Sequence, residues 1–299
     1  MVLVSAACGG THAAKPERVA GQTGFLLSAN GQRLYYECAG RGSPTVVLEA
    51  GLGGDHRAWA AVAPELARTT RTCAYDRAGL GFSAPDGSHR TGREQVDDLH
   101  ALLAAARIAP PYVLVGHSYG GLLAHEFAAA HPADVAGLIL VDASHPAQAR
   151  RFLEALGPPR PGENPVRSRL RAFLREEPQN PEGLDMRATF AQAQKAGPIG
   201  NKPLVVITAG LENDPSLEPS LKRTLDRTWL SLQHELSRLS TDSIHVIAVR
   251  SHHNVMSFAD QPELVVDAVR AVVQSARTKR RLARCETLFA PPGARCVSG

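Results

Sequence analysis

The 299-residue chain lacks any apolar run long enough to cross a bilayer, which excludes a spanning helix. It lacks an excess of one charge: 33 basic against 29 acidic residues leave a formal +4. The basic residues are scattered and no aromatic–basic interleaving or nucleic-acid motif accompanies them, so they read as solvated surface and no nucleic-acid partner is expected. No internal repeat and no low-complexity tract is present, so a repeat array or a disordered tract is not the architecture. The histidines nearest to chemistry-bearing stretches (His56, His117, His145) lack metal-ligand spacing, and neither a metal nor an organic cofactor is expected.

Cysteine is scarce, with five in the chain. Cys8 ends Met1-Val2-Leu3-Val4-Ser5-Ala6-Ala7-Cys8, which looks like the tail of an export signal closing at a lipoprotein-type cysteine, although the charged opening is missing and the apolar run is short. A lipid on Cys8 would tether the protein to a membrane and leave four cysteines, enough for two pairs. Cys285 and Cys296 bracket a Pro-Pro-Gly loop, where a short disulfide would be useful. Cys38 and Cys73 sit on separate predicted strands and either pair or stay as buried thiols. On balance an exported protein is expected, with a cytoplasmic one as the alternative.

What is present is alternation of strand and helix. Residues 24–28 and 33–38 flank Asn30-Gly31 and read as a hairpin. Apolar runs at 44–50, 71–75, 112–115, 136–141, 203–210 and 244–249 read as strands, the longer ones buried on both faces. Helices are expected over 57–68, 91–106, 119–130, 217–239 and 262–276. Between His145 and Gly200 the composition shifts to Pro and Arg, with three helical pieces at 147–156, 165–176 and 184–196, which reads as an inserted helical cap. The expected organisation is a leader and tether over 1–22, an α/β core over 23–144 and 201–276, the cap over 145–200 and a tail over 277–299. The fold class is α/β, a mostly parallel sheet covered by helices on both faces.

The chemistry-bearing stretches all follow strand ends, where sites of such sheets lie. Gly116-His117-Ser118-Tyr119-Gly120 stands between a strand and a helix, the setting of a sharp turn that exposes a nucleophilic serine, Ser118. Gly51-Leu52-Gly53-Gly54 follows the first buried strand, Asp142 the strand after the nucleophile helix, and Gly210 to Asp214 the next. Ser251-His252-His253-Asn254 follows the last strand. A serine hydroxyl needs a base, and the base needs a third group to fix its tautomer. His253 is the preferred base with His252 as rival. Asp142 is the preferred acid, with Asp214 and then Glu212 as alternatives, and each choice keeps the order nucleophile, acid, histidine. Asp76 and Arg77 read as a structural charge pair, and Glu49 as a carboxylate satisfied by backbone.

These motifs resemble the α/β-hydrolase superfamily over most of residues 24–276. The resemblance rests on the Gly116–Gly120 turn, Tyr75-Asp76-Arg77-Ala78-Gly79 with Gly81-Phe82-Ser83, Glu49-Ala50-Gly51-Leu52-Gly53-Gly54, and Ser251-His252-His253-Asn254 leading to Asp260-Gln261-Pro262-Glu263. Members typically carry Ser-Gly-His where this chain has Ser251-His252-His253. The resemblance implies an oxyanion hole from the N–H groups of Leu52 and Tyr119, with Gly51, Gly53 and His117 at the substrate. It implies a serine esterase acting on a small-molecule acyl substrate through an acyl-enzyme. Acyl transfer, amide or peptide hydrolysis, and a non-catalytic binding role on the same fold are the alternatives. The cap arginines (Arg150, Arg151, Arg160, Arg167, Arg169, Arg171, Arg175) read mainly as a solvated face, with an anionic substrate as the rival reading.

Overall fold

A computed structural model describes residues 17–18, 24–85, 90–175, 180–210, 218–257, 260–289 and 293–297. Among the described residues ten strands form one sheet: β1 (Glu17–Arg18), β2 (Phe25–Ala29), β3 (Gln32–Ala39), β4 (Thr45–Glu49), β5 (Thr72–Tyr75), β6 (Tyr112–His117), β7 (Val135–Val141), β8 (Leu204–Ala209), β9 (Ser243–Ala248) and β10 (Ala294–Cys296). Their order across the sheet is β1-β2-β3-β5-β4-β6-β7-β8-β9-β10. The run from β5 through β4 to β9 is parallel, and antiparallel strands lie at both edges. The hairpin of β2 and β3 turns at Asn30 (φ 49°) and Gly31 (φ 79°), two left-handed residues in a row, as a tight turn between twisted strands requires.

The helices are α1 (Ala63–Ala67), α2 (Gly92–Ala105), α3 (Tyr119–Ala130), α4 (Gln148–Leu156), α5 (Pro165–Arg175), α6 (Met186–Ala193), α7 (Pro219–Ser237), α8 (Pro262–Thr278) and α9 (Cys285–Leu288). The central strands are buried along their whole length because helices cover both faces. On one face Leu99, Leu102, Leu122 and Phe127 of α2 and α3 pack on Leu114 and Leu138. On the other Trp59, Leu66, Val265, Val269 and Val272 pack on Val113, Val115 and Ile139. α2 starts at Thr91, whose side chain and that of Glu94 cap each other's backbone N–H groups.

Three expectations need correction. The helix expected over 57–68 is a single 3-10 turn, His56–Trp59, followed by α1. Pro64 explains the restart, since proline lacks the N–H that an unbroken helix would use and suits a first turn. Glu17–Arg18, read as tether, pairs with β2. The tail is part of the sheet, because β10 adds antiparallel to β9.

Both cysteine pairs are disulfides. Cys38 and Cys73 face each other directly across β3 and β5, with Cα atoms 4.1 Å apart. Cys285 and Cys296 join α9 to β10. Cys8 lies outside the described residues. Between β7 and β8 the chain leaves the sheet to form α4, α5 and α6 before returning.

Candidate active site

β6 runs straight into α3, and the turn between them is Ser118, with φ 52° and ψ −121°. Positive φ in a residue with a side chain is a strained conformation, on the order of 1–3 kcal/mol, held by its surroundings. Here they are explicit. A Cβ on Gly116 would lie 2.4 Å from the Gly120 carbonyl oxygen, and one on Gly120 would lie 2.4 Å from those of Glu49 and Ala50. Only glycine lets strand and helix close to this distance. The Ser118 N–H donates to the Val141 carbonyl (3.0 Å), and its own carbonyl accepts from Ser144 (2.9 Å). The elbow is therefore bonded on both sides to the chain around the end of β7.

That strand end carries Asp142, 1% exposed and itself at φ 42°. Its carboxylate has three donors. Oδ1 accepts from the Ala209 N–H (3.1 Å) and from the indole Nε1–H of Trp229 (2.9 Å). Oδ2 lies 2.6 Å from Nδ1 of His253. The adjacent His252 turns elsewhere: its ring Nδ1 is 3.3 Å from Asp260 Oδ1, and its N–H donates to the same oxygen. Of the two rivals, His253 is the one that meets Asp142. The alternative acids Asp214 and Glu212 lie outside the described residues.

His117 joins the elbow to the histidine loop. Its Nε2 is 2.9 Å from the carbonyl oxygen of His253, and the two rings lie 4.7 Å apart. A carbonyl can only accept, so Nε2 carries the proton. Burial, reinforced by His253, pushes His117 down to about 4, so the ring is neutral at ordinary pH.

The Gly51–Gly54 turn passes over Ser118. A Cβ at Gly51 would lie 2.8 Å from His117 Nδ1 and 3.4 Å from Ser118 Cβ. The turn is closed by Gly54 N–H donating to the Gly51 carbonyl (3.0 Å). Leu52 sits at its crest, 38% exposed. Tyr119 is the first residue of α3, where an N–H has no intrahelical acceptor and the helix dipole favours negative charge. Gly53, expected at a substrate, is occupied otherwise: its N–H donates to Glu182 (2.8 Å).

Glu182 was not legible as a site neighbour. It belongs to the β7–β8 excursion yet meets Arg77, which is 3% exposed. Arg77 donates to Glu182 (2.8 Å), to Glu49 (2.5 Å), and to the carbonyls of Ala50 (2.7 Å) and Gly51 (2.6 Å). Its guanidinium stands 5.5 Å from the Tyr119 ring centre, and Tyr119 in turn donates through its hydroxyl to Gln95 (2.7 Å). Burial works against the charge on Arg77, but Glu182 and Glu49 outweigh it and hold its pKa well above its ordinary value. Burial pushes Glu49 up against the pull of Arg77. Asp76 and Arg77 are thus not partners of each other, and Glu49 is satisfied by side chains, Arg77 and the Tyr75 hydroxyl, rather than by backbone. Asp76 instead accepts from His56 and from the Phe82 N–H (2.9 Å).

A cavity of about 380 Å³ opens beside Asp142 and His253. Its wall is largely apolar, with Phe152, Leu170, Leu174, Leu225 and Trp229 from α4, α5 and α7. The cation on this wall, Lys222, is paired to Asp226 at 2.6 Å. Arg150, Arg151 and Arg171 are paired to Glu154, Glu235 and Glu163 and do not line it.

Parallel sheet, strained serine turn and a carboxylate-bound histidine beyond the strand ends define the class, and the fold is that of the α/β hydrolases. The family model for the alpha/beta hydrolase fold matches residues 44–162. A relative, the uncharacterized protein YqjL of Bacillus subtilis, is 29% identical over 231 residues, 76% of this chain and 82% of its own. Two other curated relatives are longer proteins, matched over 46% and 15% of their own length. Among solved structures, a thermophilic esterase from Thermogutta terrifontis superimposes with TM-score 0.57 at 22% identity, over 88% of this chain and 99% of that one. A hydrolase from Pseudomonas aeruginosa gives 0.56 at 22% identity, over 85% and 99%. Likeness at this level concerns the fold.

Proposed function

We propose that the chain is a serine hydrolase that cleaves carboxylic esters with an apolar acyl or alcohol part. The observation that carries this reading is the 2.6 Å contact between Asp142 Oδ2 and His253 Nδ1 beside the strained Ser118 turn. The carboxylate fixes the proton on Nδ1 and leaves Nε2 to accept one. His253 takes the hydroxyl proton of Ser118 as Oγ attacks the ester carbonyl carbon. The N–H groups of Leu52 and Tyr119 hold the oxyanion. His253 then gives the proton to the leaving alkoxide, and the acyl group stays on Ser118. Water, deprotonated by the same histidine, attacks the acyl-enzyme and releases the acid. Residues 145–200 act as a cap whose helices α4 and α5 give part of the apolar wall of the cavity, α7 giving the rest. Epoxide and haloalkane hydrolysis on this fold call for an aspartate nucleophile, and Ser118 stands in that place.

The test is turnover of p-nitrophenyl esters of increasing acyl length by wild type and by Ser118→Ala. The reading expects hydrolysis by wild type that falls by at least about 10³-fold in the variant. Equal rates in both would refute it.

We further propose that the protein is exported and tethered through a lipid on Cys8. Two disulfides in a chain of 299 residues support an oxidising compartment. Intact mass of the native protein, with and without reductant, tests this. Free thiols and an unmodified Cys8 would refute it.

A further inference from the structure

The end of the sheet opposite the proposed catalytic machinery carries a second cluster that the hydrolytic reading does not use. His100 of α2, His131 at the C-terminal end of α3 and Asp134 before β7 each offer a ligand atom, and the three atoms lie within 4.8 Å of one another. Their place is set by β6. Tyr112, its first residue, donates its backbone N–H to the Asp134 carbonyl (2.7 Å), whereas Ser118 follows its last. Six residues of strand separate the two ends by about 20 Å.

The cluster is held, not incidental. The His131 N–H donates to the Phe127 carbonyl (2.8 Å) and the Asp134 N–H to the His131 carbonyl (3.0 Å), so the turn that carries both ligands is fixed. The rings of His100 and His131 are nearly parallel at 3.9 Å and rest against Phe127, which is fully buried. Asp134 Oδ2 lies 3.3 Å from His100 Nε2. Nε2 of His131 is buried and has no hydrogen-bond partner among the described residues. Such an orphan is destabilising, and a ligand on the cluster would satisfy it.

We propose that His100, His131 and Asp134 bind a divalent transition-metal ion of borderline softness, Zn²⁺ in the first place, as a brace between α2, α3 and the start of β7. Two imidazoles and one carboxylate are a donor set that suits Zn²⁺. Metal–ligand distances of about 2.0–2.2 Å put tetrahedral ligand atoms about 3.4 Å apart. Rotation of His100, which is only half-buried, out of its stack on His131 would close the present spread to that, the turn bearing the other two staying in place. A fourth position is left for water from a surface hollow of about 370 Å³ lined by His100, Tyr112 and Asp134. Arg107 also lines that hollow and lowers the affinity for a cation, so binding weaker than in an all-thiolate site is expected.

The experiment is calorimetric titration of the EDTA-stripped full chain with ZnCl₂, on wild type, His100→Ala, His131→Ala and Asp134→Asn, with Tm and far-UV circular dichroism recorded without metal. The expected result is one equivalent bound by wild type and at least tenfold weaker binding in each variant, with a zinc-induced rise in Tm lost in parallel. If His131→Ala fails to fold, His100→Gln gives the same reading from the exposed side of the cluster. Co²⁺ bound to wild type should show the visible absorption of a tetrahedral site, absent in His100→Gln. No zinc binding by wild type, or binding unchanged in folded His100 and Asp134 variants, would overturn the proposal and leave the cluster a stacked pair packed on Phe127.

Discussion

Replacing Asp142 by Asn separates the geometry of the site from its charge. The Asn carbonyl oxygen can take the Oδ1 place and keep both donors, Ala209 N–H and Trp229 Nε1–H. Its NH₂ group then faces His253 Nδ1 across the 2.6 Å contact. Two donors cannot share that bond, so Nδ1 gives up its proton and Nε2 takes it. In the proposed mechanism Nε2 is the nitrogen that accepts from Ser118, so the base would be blocked, and no carboxylate would remain to stabilise the imidazolium. Loss of a correctly held tautomer is worth on the order of 10⁴ in kcat, about 5 kcal/mol of barrier. Because the buried donors stay satisfied, Tm should move by no more than a few degrees. Trp229→Phe removes one of two bonds to Oδ1, a charge-assisted one worth about 1.5–3 kcal/mol, and should lower kcat by roughly ten- to a hundredfold without changing the tautomer. The assay is p-nitrophenyl ester turnover across pH, with circular dichroism as the folding control. An Asp142→Asn protein that keeps more than a tenth of wild-type kcat, while a change at Asp214 or Glu212 removes several orders, would refute the assignment of the acid.

Further outcomes follow from the same geometry. Glu182→Gln takes one carboxylate from the buried Arg77 and should cost about 3–5 kcal/mol in denaturant unfolding, an unusually large effect for a residue of a Pro- and Arg-rich excursion. Glu126, 1% exposed, has no hydrogen-bond partner for either carboxylate oxygen among the described residues. Burial, opposed by Arg93 and aided by Asp97, pushes it up to about 7. The folded state therefore holds a proton that the unfolded chain releases near 4.5, so stability is fully present below about 4.5 and falls as pH rises toward 7, by at most about 3 kcal/mol. Glu126→Gln should flatten that slope in urea melts from pH 4.5 to 8, and an unchanged slope would refute the cause. Cys73→Ser opens a bridge spanning 35 residues and should cost about 4 kcal/mol by the chain-entropy estimate, against about 3 for the 11-residue bridge opened by Cys296→Ser.

The parts visible in the sequence were those whose physics is local. Alternating apolar runs and helical periods located the eight longer strands and most helices within a residue or two, because burial on both faces of a parallel strand requires an unbroken apolar run. The glycines at 116 and 120 announced a close strand–helix turn because no other residue fits it. What stayed hidden depends on contacts between distant segments. Glu182 stands in a polar loop that reads as solvated, and nothing local says that it enters a pocket with Arg77, 105 positions away. Trp229 reads as one of the apolar residues of a long helix, and only the packing of α7 over β8 brings its N–H to Asp142. β1 and β10 are two and three residues long, too short for a period. The choice between His252 and His253 turns on which ring faces inward, a property of the loop's path and not of its composition.

The central claim is an activated serine at position 118. Reaction with a fluorophosphonate, followed by peptide mapping of wild type and Ser118→Ala, tests it most directly. The account predicts a single adduct on Ser118, formed at a rate that collapses in His253→Ala. An intact, folded protein that takes no label at Ser118, or takes it equally with and without His253, would contradict it.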